Sequence, residues 1–179
     1  MEEVKGTKTE ENLKAAFAGE SQARNKYDYF AKVANKEGYL YIAKIFEETA
    51  INEMQHAKDE FKLLGGIGKT EENLKAAIEG EHYETEHMYP EFAEIAKEEG
   101  NMKAFAKFSA IAKVEKEHEK RYEKLLELVK SGKVYKRDSE IRWKCSKCGH
   151  IHTGTEPPKM CPSCAHEYMY FEPEDFMGK

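Results

Sequence analysis

A chain of 179 residues has room for one ordinary domain and a small module. Its 35% of charged and 40% of apolar residues suit long amphipathic helices, with a wide charged face and a narrow apolar stripe. A net charge of −5 argues against nucleic acid as a partner. No run of about 18 apolar residues offers a membrane span, and the acidic start MEEVKGTKTEEN lacks the apolar stretch of a signal peptide. The expected location is therefore the reducing cytoplasm, where four cysteines serve as metal ligands sooner than as disulfides.

Helix-forming residues dominate up to about residue 130, and no proline occurs before Pro90. Breakers divide this part into four predicted helices, over roughly 10–36, 39–64, 71–99 and 101–130. The separators are Gly38, the GGIG of 65–68, and Gly100. Thr9 and Thr70 each open the string TEENLKAA, whose acidic first turn suits a helix start. The two strings belong to a longer duplication. At an offset of 61, Gly19 matches Gly80 and Glu20 matches Glu81; further on, at 62, FAKVANKEG matches FAEIAKEEG. The third helix thus holds one extra residue, between about 82 and 91, which a helix absorbs as a π-bulge. Two related helix pairs predict a pseudo-two-fold four-helix bundle. Turn residues follow near Ser131–Asp138, so the expected domains are 1–135 and 136–179.

Each predicted helix turns a carboxylate into its apolar stripe. The first runs Leu13, Phe17, Glu20, Ala23, Tyr27, Phe30; the second Ile42, Phe46, Thr49, Glu53, His56, Glu60. The third runs Leu74, Ile78, Glu81, Glu84, Met88; the fourth Phe108, Ile111, Glu115, His118, Tyr122. Inward carboxylates repel and are costly to ionise unless a cation joins them, and no lysine or arginine lies at that level of the stripes. Glu53-x-x-His56 and Glu115-x-x-His118 each put a carboxylate and an imidazole on one helical face. With Glu20 and Glu81 this is the ligand pattern of ferritin-like di-iron and di-manganese bundles. Glu47, Glu48, Glu94, Glu98 and Glu99 lie off the stripes and are read as solvated. His82 and His87 are read as exposed or as supporting groups. Tyr27 and Tyr89 fit two readings, core aromatics or hydroxyls bonded to a ligand carboxylate.

The tail carries Cys145-x-x-Cys148 and Cys161-x-x-Cys164, twelve residues apart. Two such knuckles supply a tetrahedron of thiolates for zinc or a single iron. By pattern alone a structural zinc ribbon is the commoner reading. A nucleic-acid-binding ribbon is disfavoured, because residues 131–179 carry eight basic against seven acidic side chains.

Together the two parts resemble the rubrerythrin family along essentially the whole chain. The resemblance implies a ferritin-like di-iron bundle, all-α, followed by a small rubredoxin-like β/loop module. It implies two iron ions in the bundle and one in the tetracysteine site, with zinc as a substitute there on recombinant expression. Glu20 and Glu81 would be terminal ligands, Glu53 and Glu115 would bridge, and His118 would bind the second iron. His56 would bind the first iron in the reduced state and exchange with Glu84 on oxidation; Glu84 occupies the place of Ala23 in the first repeat. The catalytic set would be Glu84, His56, Tyr27 and Tyr89. The implied activity is a peroxidase that reduces hydrogen peroxide to water in oxidative-stress defence. Electrons would come through the iron–thiolate centre from an external donor, such as a rubredoxin or an NAD(P)H-dependent reductase. A homodimer or higher assembly is expected, with helix pairs kept or exchanged between chains.

Other readings of the bundle are a ferroxidase or iron-handling protein, a manganese catalase-like enzyme, and a zinc-ribbon scaffold. The first two need no attached electron-transfer centre. One departure from the family pattern stands out: the second knuckle ends Cys164-Ala165, where rubredoxin-like knuckles carry glycine. Alanine there either takes a left-handed backbone at a cost of about 1 kcal/mol or forces another turn, which bears on the redox potential rather than on metal binding.

Overall fold

The computed structural model describes residues 4–174. The chain forms two compact units, Met1–Gly68 and Lys69–Lys179.

The first unit is a helical hairpin of α1 (Lys8–Glu37) and α2 (Leu40–Leu63). α1 starts ahead of the TEEN string, because the Thr7 hydroxyl accepts the Glu10 N–H at 3.2 Å and so occupies the cap position. Gly38 ends α1 with φ 87°, a left-handed conformation that glycine adopts without a Cβ penalty. The seam between the helices is lined by small residues. Ala31 and Ala34 of α1 and Ala43, Ala50 and Ala57 of α2 are all buried, which lets the two backbones approach closely. Phe17 stacks on Phe61 with centroids 4.7 Å apart, and Tyr27, Phe30 and Phe46 form a second aromatic cluster.

The second unit opens with α3 (Thr70–Tyr83), a π-helical turn over Glu84–Met88, and α4 (Tyr89–Glu98). The extra residue of the second repeat thus falls in that turn, inside the span where the duplication slips register. The Tyr89 N–H reaches back five residues to the Glu84 carbonyl. Pro90, which has no N–H to donate, follows directly in the first turn of α4. α3, the π turn and α4 all pack on α5 (Met102–Lys130). Asn101 caps α5 by accepting the Ala104 N–H at 3.1 Å.

Beyond α5 lie three short strands, β1 (Ile141–Cys145), β2 (Ile151–Gly154) and β3 (Phe171–Pro173), in antiparallel order β2-β1-β3. Their small core is Trp143, Cys145, Cys161 and Phe171, each at most 2% exposed. The Trp143 indole N–H donates to the Gly154 carbonyl at 2.9 Å, which satisfies its one polar atom. The Arg137 guanidinium lies 5.3 Å from the indole ring. Among the described residues, no helix is long and apolar enough to cross a membrane.

Candidate metal centres

Three groups of metal-ligating side chains converge among the described residues. Within each, one ligand atom per residue lies within 4.8 Å of the others.

The first group is Glu20 of α1 with Glu53 and His56 of α2. His56 Nδ1 lies 3.0 Å from Glu53 Oε2 and 3.9 Å from Glu20 Oε1. A hydrogen bond with Glu53, helped by burial, pushes the Glu20 carboxyl above its usual range. Glu60 adds a further negative charge, and its Oε2 is buried without a partner. The second group repeats the first on the other unit, with Glu81 of α3 and Glu115 and His118 of α5. His118 Nδ1 lies 2.7 Å from Glu115 Oε2 and 3.6 Å from Glu81 Oε2. Burial, then the Glu115 charge, raises the Glu81 carboxyl. In both groups a neighbouring carboxylate contributes to raising the first, and a divalent ion bound between them would offset that repulsion. The donor set of carboxylate oxygens and imidazole suits iron or manganese.

Glu84 does not belong to either three-residue group. It begins the π turn, half-buried, and its charge acts on both neighbours of interest: it raises Glu81 and, after burial, is the main influence raising the Tyr89 phenol. Tyr89 therefore lies within the field of Glu84, Glu115 and Glu81. Tyr27, its repeat counterpart, is described by its ring contacts with Phe30 and Phe46. His87 is exposed, with its ring beside Tyr83.

His82 has a different place. Its Nδ1 lies 2.8 Å from Oε1 of Glu119, the one buried charged residue among those described. The sequence reading does not single out Glu119, because it sits in the charged run after His118. The signal that marks it is its repeat counterpart: at the offset of 62, Glu119 stands where the first repeat has the buried Ala57.

The third group is Cys145, Cys148, Cys161 and Cys164. Cys145 Sγ lies 3.7 Å from Cys164 Sγ, and Cys148 Sγ 3.7 Å from Cys161 Sγ. A tetrahedral ion with metal–sulfur bonds of about 2.3 Å separates its sulfurs by about 3.8 Å, so the cage is already the right size. The knuckles are near-copies. Gly149 N–H donates to Cys145 O at 2.8 Å, and Ala165 N–H to Cys161 O at 2.9 Å. Gly149 has φ 78° and Ala165 φ 59°, so alanine takes the left-handed backbone and keeps the turn. Ala165→Gly is accordingly expected to stabilise the metal-loaded module by up to about 1 kcal/mol, the relief of that strain less glycine's added chain entropy. A thermal melt followed at the module's own metal–thiolate absorption checks it.

The thiols differ in acidity. The His150 backbone N–H lowers Cys148 to about 6. For Cys164 the His166 N–H works in the same direction, but burial and the neighbouring thiols outweigh it and push the thiol up to about 12. Metal must displace the protons that remain. Uptake of zinc by the metal-free module should therefore strengthen from pH 6 to pH 9, and below pH 6 lose at least about tenfold in affinity per pH unit as Cys148 also protonates. A competition titration against a chromophoric chelator measures this.

The family model described as Rubrerythrin matches residues 11–126, and that described as Rubrerythrin, rubredoxin-like domain matches residues 143–172. The chain belongs to the rubrerythrin family. Among curated relatives, it is 51% identical to a rubrerythrin of Porphyromonas gingivalis, over 95% of this chain and 92% of that one. It is 44% identical to a rubrerythrin of Nitratidesulfovibrio vulgaris, over 96% and 97%. To nigerythrin of the same organism it is 38% identical, over 93% and 84%. Its fold class is the ferritin-like helical bundle with a C-terminal rubredoxin-like strand-and-loop module, as the carboxylate stripes and the cysteine spacing predict. Membership marks the protein as a di-iron, rubredoxin-like member of an oxidoreductase family, and the two carboxylate–histidine groups and the tetrathiolate fit iron.

Proposed function

We propose that the protein is a non-haem di-iron peroxidase that reduces hydrogen peroxide to water. The observation that carries this reading is the combination of matched ligand groups, Glu20/Glu53/His56 and Glu81/Glu115/His118, with Glu84, which the first repeat replaces by Ala23, at the start of a π turn. A storage site has no use for a tetrathiolate centre in the same chain; a site that consumes electrons does. The overall reaction is H2O2 + 2 e− + 2 H+ → 2 H2O. When bound, a pair of ferrous ions held by these residues would supply the two electrons.

The protein's own groups do the rest. His56 and His118, each hydrogen-bonded to a glutamate three residues earlier, are oriented for ligation. Glu84 offers a hard anionic ligand suited to the ferric state, and His56 a neutral one suited to the ferrous state. Tyr89, its phenol raised by burial and then by the charge of Glu84, keeps its O–H beside these carboxylates. The four cysteines would hold the single iron through which electrons would arrive one at a time from an external donor, a rubredoxin or an NAD(P)H-dependent reductase. We place the protein in the cytoplasm, where thiolates stay reduced, and propose a homodimer, with helix pairs kept or exchanged. A dimer lets the thiolate centre of one chain approach the carboxylate–histidine groups of another. Multi-angle light scattering tests the mass.

The test of function is anaerobic. The iron-loaded, fully reduced protein is mixed with hydrogen peroxide and, separately, with dioxygen, and reoxidation is followed by visible absorption. One peroxide should oxidise two ferrous ions, much faster than dioxygen does. Preference for dioxygen, or ferric iron accumulating beyond the bound sites, would point to iron handling and end the peroxidase reading.

A further inference from the structure

The π turn is tied to α5 by a polar clamp that the other half of the molecule lacks. Glu119 is 6% exposed, yet both its oxygens are engaged: Oε1 lies 2.8 Å from His82 Nδ1, and Oε2 accepts from Lys116 Nζ at 3.0 Å. Lys116 Nζ also donates to Glu86 Oε1 at 3.2 Å. His82 stands two residues before the π turn and Glu86 is its third residue. One buried carboxylate thus reaches the turn from both sides, directly through His82 and by way of Lys116 to Glu86.

The duplication makes the pairing informative. In the first repeat Ser21 stands for His82, Met54 for Lys116, and Ala57 for Glu119; Arg24, Asn25 and Lys26 face the longer segment 85–88, and none is acidic. Every member of the clamp therefore appears only in the half that has the inserted residue and Glu84. A π turn is a costly irregularity in a helix, and this one gains little from its own interior, where the Thr85 hydroxyl is buried without a partner. A buried carboxylate is tolerated only when fully paired, and its bonds to charged groups are correspondingly strong.

We infer that Glu119 is a positioning residue: with His82 and Lys116 it holds the π turn against α5 and thereby fixes where Glu84 starts and how far it travels. The inference deepens the peroxidase reading, on which the role of Glu84 rests, but the clamp itself can be tested without iron.

The variants borrow residues that the first repeat already uses. E119A installs the residue of Ala57, and K116M that of Met54; E119Q keeps an acceptor for Lys116. Amide hydrogen exchange is read by mass spectrometry on the full-length, metal-free protein. E119A should speed exchange in residues 84–89 by about tenfold, leaving α1 and α2 unchanged, while E119Q should stay within about threefold of the parent. K116M, which removes the Lys116 bonds to Glu119 and Glu86 but keeps the His82–Glu119 bond, should give the same local change at smaller size. If E119A does not fold, K116M alone decides the matter. Unchanged exchange in the turn, or a rise spread evenly over α3, α4 and α5, overturns the clamp. In the iron-loaded protein, E119A should slow peroxide oxidation in the same order as it loosens the turn. A loosened turn with an unchanged rate in both E119A and E84A would leave the clamp standing and remove Glu84 from the proposed reaction.

Discussion

Replacing Glu84 with alanine is expected to slow peroxide oxidation of the reduced, iron-loaded protein by about 100-fold, the upper range for loss of a group that tunes a metal site. Iron content should change little, because Glu20, Glu53 and His56 on one unit and Glu81, Glu115 and His118 on the other remain in place. The reason for a kinetic effect without loss of iron lies in geometry. Glu84 stands outside both ligand groups, at the first residue of the π turn, yet close enough to raise Glu81 and Tyr89 by its charge. On the proposed function it would join the metal site in one oxidation state and leave it in the other. E84Q keeps the shape and loses the charge, so it should recover only a small part of the rate. Stopped-flow absorption with stoichiometric peroxide makes the measurement. A rate within about twofold of the parent in E84A would mean that Glu84 is a bystander.

The second large effect concerns electron supply. Cys161→Ser should abolish the iron–thiolate absorption and lower steady-state turnover with an external reductant by at least about 100-fold, since the binding energy of a structural metal is also folding energy for a module this small. Cys161 serves twice. Its sulfur is 3.7 Å from that of Cys148, and its side chain is 2% exposed in the core with Trp143, Cys145 and Phe171. Serine would place a harder oxygen at a site that favours soft thiolates and leave a polar atom in the core. A single turnover after chemical reduction should nevertheless survive within about twofold, because the helical ligand groups draw nothing from the tail. If single turnover also collapsed, the tail would be needed for more than relay. If steady-state turnover persisted without the thiolate centre, the relay proposal would fail.

Much of the candidate site is readable from residue spacing. Glu53 and His56, like Glu115 and His118, lie three apart, so any helix must bring them to one face; the structure has them 3.0 and 2.7 Å apart. The cysteine spacing specifies two knuckles in the same way. The slip in the duplication announced an irregular turn, and the π turn lies at Glu84–Met88. Other features were not readable. The first helix begins at Lys8, ahead of the repeated string, because Thr7 rather than a residue of the string wins the cap hydrogen bond. Whether Ala165 would yield or force another turn depended on the balance between its strain and the bonds of the whole knuckle.

By itself, then, the sequence determined the repeat, the ligand stripes, the thiolate cage and the place where the symmetry fails. These follow from local periodicity, which a helix or a knuckle converts into geometry without reference to distant residues. The tertiary structure alone decided what surrounds the broken half. His82 and Glu119 are 37 residues apart in the chain and 2.8 Å apart in space, and no helical period relates them. Only the packing of α3 and the π turn on α5 brings that buried carboxylate to the segment that carries Glu84.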